Sequence, residues 1–142
     1  MGPWPLPQGG TGVLEKAATG IAGFDDLTFG GLPRGRATIV TGAAGSGKSM
    51  FGVEFLAQGA RSYGEPGVLL SFEETSAELV ANATSIGIDL EAMTDDGGLV
   101  VDSAAGDTDA LVQSGAFDLD GLLLRLSAAI DAVGARRVVL DM

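Results

Sequence analysis

The residues Gly42-Ala43-Ala44-Gly45-Ser46-Gly47-Lys48-Ser49 fit the pattern G-x-x-x-x-G-K-[ST], the phosphate-binding loop of nucleoside triphosphatases. The chemistry follows from the residue types. Gly42, Gly45 and Gly47 admit backbone angles closed to other residues and leave room for phosphate oxygens. Ala43, Ala44 and Ser46 supply further backbone N–H groups, so the loop forms a concave anion site at a helix N-terminus. Lys48 adds a point charge for the β and γ phosphates. Ser49 offers a hydroxyl to Mg²⁺. The expected ligands are therefore a nucleoside triphosphate and Mg²⁺.

Carboxylates stand at two other places. Glu73-Glu74 follows the apolar run Val68-Leu69-Leu70-Ser71-Phe72. In open α/β sheets ligands bind at the carboxyl ends of strands, where a glutamate can orient or deprotonate an attacking water. Acidic residues just before a helix also meet its N-terminal dipole favourably, and position alone leaves both roles open. Asp141 closes the run Arg137-Val138-Val139-Leu140, where phosphate-loop enzymes carry the aspartate on the Mg²⁺ side. Asp25 and Asp26 read as caps of a local turn. Asp107, Asp109, Asp118 and Asp120 are too scattered for a Ca²⁺ loop and read as solvated. Arg136 and Arg137 read as solvated residues leading into a strand.

These groups need elements to hold them. Arg36 to Thr41 is a short β-branched run that predicts a strand, and Met50 to Arg61 predicts the helix after the loop, burying Phe51, Phe55 and Leu56. Residues 68–72 predict a second strand, whose near-continuous apolar character suits burial on both faces. Thr75-Ser76-Ala77-Glu78 is a capping box opening a helix to about Ile86. A helical turn near 89–94 and the turn Asp95-Asp96-Gly97-Gly98 follow. Leu99 to Asp102 predicts a third strand, residues 104–118 an acidic loop, and 119–133 an amphipathic helix stopped by Gly134. Arg137 to Asp141 predicts a fourth strand. Strands alternating with helices specify an α/β fold with a parallel sheet.

Composition narrows the partners. The chain has 142 residues, enough for one domain with a sizeable core. Its division is expected as a flexible leader over 1–18 and a nucleotide-binding unit over 19–142. The 23 glycines exceed the average share of roughly 7% and show no collagen-like period, so they read as turns. The net charge of −11 argues against nucleic-acid and acidic-membrane partners, which need a basic face. With no His and no Cys, imidazole catalysis, thiolate metal sites and disulfides are excluded, and a cytoplasmic location is compatible. The start Met1-Gly2-Pro3-Trp4-Pro5 lacks the features of a signal peptide.

A series of segments carries a resemblance. Thr19-Gly20-Ile21, Gly23-Phe24-Asp25-Asp26-Leu27, Gly30-Gly31-Leu32-Pro33-Arg34-Gly35, the loop 42–49, Gly64-Glu65-Pro66-Gly67-Val68, Ser71-Phe72-Glu73-Glu74-Thr75 and Ala135 to Asp141 run in the order found in the circadian clock ATPase family of KaiC. The resemblance covers residues 16–142 and implies a RecA-like P-loop fold, of which this chain holds about the first four core strands. It implies that Glu73 and Glu74 are the catalytic glutamate pair and Asp141 the Walker B aspartate. It further implies ATP hydrolysis, clock or signalling partners and homo-hexameric rings in the intact family, with autophosphorylation in full-length members. The chain is expected to be the amino-terminal part of the first such domain, inactive and unable to form rings alone. In RecA-like sheets a strand that follows Walker B lies between the loop strand and the Walker B strand, so the sheet is expected to have a gap at its centre. Two alternatives stand beside this reading: a nucleotide-binding segment without turnover, and a RecA-type DNA recombinase, against which the charge speaks.

Overall fold

The computed structural model describes residues 14–105 and 119–142. Most of the leader, including Trp4, and Asp107, Asp109 and Asp118 of the acidic loop lie outside the described residues. A minimal antiparallel pair, β1 (Lys16–Ala17) with β2 (Leu32–Pro33), flanks the single turn α1 (Phe24–Leu27). The long helix α2 (Lys48–Ser62) follows the glycine loop. Then come β3 (Gly67–Ser71), α3 (Ser76–Ser85), α4 (Leu90–Asp95), β4 (Leu99–Ser103), α5 (Leu119–Val133) and β5 (Arg137–Asp141).

The main sheet is parallel, in the order β4-β3-β5. Its central strand is β3, buried at every position, as expected of an apolar parallel strand covered on both faces. One register row joins Ser103, Ser71 and Asp141 at the carboxyl end, and another joins Leu99, Gly67 and Arg137 at the amino end. The core gathers Val53, Leu56 and Ala57 of α2, Leu69 of β3, Leu79 and Ala83 of α3, Leu90 and Met93 of α4, and Leu99 of β4. Glycines let α2 lie close to the sheet: a Cβ at Gly52 would stand 2.8 Å from a methyl of Val139. Thr75 caps α3, accepting from the Glu78 N–H at 3.2 Å while Glu78 accepts from the Thr75 N–H at 2.8 Å.

Three strands pair here, not four. Arg36 to Thr41, expected as the first strand, forms no strand in the structure. Ile39 is 86% exposed. The segment has the composition of a strand, but β propensity expresses the fit of a side chain to a half-buried pleated surface, and among the described residues no strand beside 36–41 supplies one. The matching edge of β5 is open, with Val138 40% and Leu140 46% exposed. Among the described residues neither the segment 36–41 nor the outer edge of β5 has a strand partner. Of the expected buried trio on α2, Leu56 is buried. Phe51 instead packs edge-on against Phe24, ring centres 5.1 Å apart, and Phe55 lies under the Arg137 guanidinium at 4.5 Å. Helix α5 buries no residue completely. It is held by Arg125, which grips the Asp102 carboxylate at 2.6 and 2.7 Å.

Candidate functional site

The glycine loop runs directly into α2. Gly47 occupies the N-cap position with φ of 92°, and Gly45 has φ of 78°, both in the left-handed region where a side chain is strained. At Gly42 the restriction is space, since a Cβ would stand 2.5 Å from the Ser46 hydroxyl. The Ser46 N–H donates to the Ala43 carbonyl at 3.1 Å and closes a turn across Ala44. Lys48, at the first position of α2, folds its ammonium back onto the Gly42 carbonyl at 2.5 Å. Residues 42–47 are exposed. The free N–H groups of the first turn of α2 and the positive end of its dipole therefore face solvent at the mouth of the loop.

Ser49 and Asp141, separated by 92 positions in sequence, meet at this mouth. The Ser49 hydroxyl lies 3.0 and 2.9 Å from the two carboxylate oxygens of Asp141. Asp141 reaches it from the carboxyl end of β5, and its backbone carbonyl is held by the Phe72 N–H at 2.9 Å.

The glutamate pair sits one strand over, at the end of β3, and the two members differ. Glu73 is exposed. Glu74 is held from three sides: its N–H donates to Ser71 Oγ at 3.1 Å, its carbonyl accepts from Ser103 Oγ at 2.7 Å, and its Oε1 accepts from the Asn82 amide at 2.8 Å. Glu74 Oε2 is buried without a hydrogen-bond partner. Burial pushes the Glu74 carboxyl above the usual range, and the charges of Asp141, Glu78 and Glu73 add to this, while the Asn82 hydrogen bond acts the other way. Ser71, completely buried, links the two places, because its hydroxyl also lies 3.5 Å from Asp141 Oδ2.

Sequence reasoning missed these supporting residues. Ser103 ends an apolar strand and carries no motif; Ser71 lies in the segment Ser71 to Thr75, but nothing in that segment marks a role for its hydroxyl. Asn82 meets Glu74 across most of α3, a proximity that only the tertiary turn creates. The reading of Arg137 as solvated is corrected: it is 3% exposed. Its guanidinium donates to the carbonyls of Phe55 and Ala18 at 2.9 and 2.7 Å and to Glu65 Oε1 at 2.9 Å. Arg34 grips the same carboxylate at 2.7 and 3.0 Å. Hydrogen bonds from Arg34 pull the Glu65 carboxyl down, burial opposes them, and Arg137 adds to the pull, leaving it at about 2. Asp25 caps a turn as expected, accepting from the N–H and hydroxyl of Thr19 and the N–H of Gly20. Asp120, in the first turn of α5, is exposed. Among the described residues no group of three or more acidic side chains could by itself enclose a metal ion, and no helix is long and apolar enough to cross a membrane.

A family model described as "ATPase: KaiC" matches residues 17–142. The circadian clock protein KaiC2 of a Synechocystis species is 46% identical over 128 residues, which are 90% of this chain and 22% of that protein. The circadian clock oscillator proteins KaiC of Parathermosynechococcus lividus and Synechococcus elongatus are 44% and 43% identical over 90% and 91% of the chain. The chain spans 22%, 24% and 25% of the length of these three relatives.

Proposed function

The chain belongs to the KaiC ATPase family, and on that premise we propose that it binds ATP with Mg²⁺ at the loop Gly42–Ser49, as a segment of a KaiC-like clock ATPase. The observation that carries this reading is the meeting of Ser49 and Asp141 at the mouth of the loop, within 3.0 Å across 92 positions of chain. A hydroxyl beside a carboxylate, both hard oxygen donors, suits Mg²⁺, which usually takes one or two protein ligands and completes its shell with phosphate and water oxygens. Bound there, the ion would neutralise charge on the β and γ phosphates.

The remaining roles follow from placement. Backbone N–H groups of residues 43–49 receive phosphate oxygens, and Lys48 leaves the Gly42 carbonyl to meet the β and γ phosphates. Glu73 or Glu74 orients the attacking water. The raised carboxyl of Glu74 favours it as a group whose proton affinity the site controls. RecA-like architecture, partner proteins of a clock and assembly into a homo-hexamer belong to the proposal for the intact family member; for this chain alone we propose no ring.

The test is Lys48→Ala. ATP affinity by calorimetry is expected to fall by about 2–4 kcal/mol, as for truncation of one partner of a buried charge pair; equal affinity in variant and parent removes the loop assignment. A second reading, binding without turnover, is favoured by the exposed, unpaired segment 36–41 that leads into the loop. Phosphate release measured beside binding separates the two.

A further inference from the structure

Two glutamates stand side by side at the end of β3, yet only Glu74 is anchored. We infer that Asn82 is a positioning residue of the candidate site: its amide fixes the Glu74 carboxylate through Oε1 and leaves Oε2 as the oxygen without a donor. This rests on the nucleotide-site reading above and assigns a residue to it that no motif marks.

The geometry is specific. Asn82 lies on α3 beyond the capping box, and its Nδ2–H donates to Glu74 Oε1 at 2.8 Å. The peptide of Glu74 is pinned independently, its N–H on Ser71 and its carbonyl on Ser103. With the backbone fixed at both ends, the freedom left to Glu74 is its side-chain torsions, and the Asn82 bond removes it. Oε2 is buried with no partner. A buried carboxylate oxygen without a donor is costly, so a water or ligand hydroxyl that reaches it gains more than it would at the exposed Glu73. The charged groups facing Glu74 are Asp141 at the end of β5, Glu78 on α3 and its neighbour Glu73, all acidic. Asn82 is the neutral donor that offsets them.

The test follows the Glu74 carboxyl carbon by site-resolved NMR titration in the parent chain, Asn82→Ala, Asn82→Asp and Asn82→Gln. Asn82 is exposed on its helix, so unfolding midpoints should stay near the parent, and a purely structural role would show there instead. The Glu74 titration is expected to move to higher pH in Asn82→Ala and further in Asn82→Asp, which adds a like charge. It should stay near the parent in Asn82→Gln, which keeps the donor, and Glu78 should not move in Asn82→Ala. Titrations of Glu74 that are the same in all four proteins overturn the assignment. Mg-ATP added to the parent keeps the two proposals apart. A Glu74 signal that ignores Mg-ATP but depends on Asn82 sinks the nucleotide-site reading and leaves the anchor standing. A signal that responds to Mg-ATP but is indifferent to Asn82 does the reverse.

Discussion

The two ends of the parallel sheet are built on opposite plans. At the amino ends of the strands, Arg34, Glu65 and Arg137 form a closed knot: two guanidiniums hydrogen-bond one buried carboxylate, Arg136 Nε stands 3.7 Å from it, and Arg137 lies over the rings of Phe55 and Tyr63 at 4.5 and 5.3 Å. It ties the segment after β1, helix α2 and the start of β5 into one piece. At the carboxyl ends, Lys48 rests on its own loop, Ser49 meets Asp141, Glu74 keeps an oxygen unpaired, and residues 36–47 are exposed. At the first end both oxygens of Glu65 are met by the chain itself, and among the described residues there only Arg137 Nε is buried without a hydrogen-bond partner. At the second end Lys48, Ser49 and Asp141 stand beside an exposed loop, as the proposed exchange of ligands requires. Stability and the proposed binding thus fall at different ends of the same three strands.

The largest expected effect breaks the closed end. Glu65→Ala strands two guanidiniums, one of them fully buried, and should cost about 3–5 kcal/mol of unfolding free energy in urea titrations. A loss below about 1 kcal/mol would show that the arginines find other partners.

Acid should act on the same end. Glu65 falls from an ordinary 4.5 to about 2 on folding, so its contribution is complete above about 4.5 and drains away as the pH falls through about 2. Asp25 is also held low: burial raises its carboxyl, but the hydrogen bonds from Thr19 and Gly20 outweigh burial, so it works in the same direction. Glu74, whose carboxyl is raised, has the opposite sign: its contribution is present at low pH and lost as pH rises through its folded value. Urea midpoints followed from neutral pH to about 2 should therefore decline in the acid range, and the decline should flatten in Glu65→Gln.

Smaller effects sharpen the contrast. Thr75→Ala removes the cap of α3 and should cost about 1 kcal/mol. Lys48→Ala, at the open end, should change unfolding free energy by no more than about 0.5 kcal/mol while lowering ATP affinity. A stability loss as large as that of Glu65→Ala would erase the division between the two ends.

Most elements were legible from pattern. The capping box at Thr75 starts α3 where expected, the apolar run at 67–71 is the central strand, and 137–141 is a strand. These are local signals, written within a few residues. Arg36 to Thr41 failed because strand identity belongs to a pair, and a β-branched run cannot state whether its partner is present. Arg137 failed for a related reason: an arginine before a strand normally reaches water, and the carboxylate that draws it inward, Glu65, lies 72 positions away. At the candidate site, the loop residues and Asp141 were readable because each sits in a motif or at a strand end. Asn82 and Ser103 were not, nor was the role of Ser71 within its segment, since their importance lies in whom they touch.

Strand β5 carries a buried charged residue at each end, Arg137 and Asp141, with three apolar residues between them. At about 3.3 Å per residue the two Cα atoms lie about 13 Å apart along a nearly inextensible backbone. The strand therefore works as a ruler whose zero is clamped. The Ser49–Asp141 spacing tolerates a few tenths of an ångström before the hydrogen bond weakens, whereas a slip of one residue would carry Asp141 about 3.3 Å and turn it to the other face. Alignment at the mouth of the loop is thus set from the far end of the sheet, and a substitution at Glu65 mild enough to leave the chain folded should still be read out as a displacement of Asp141.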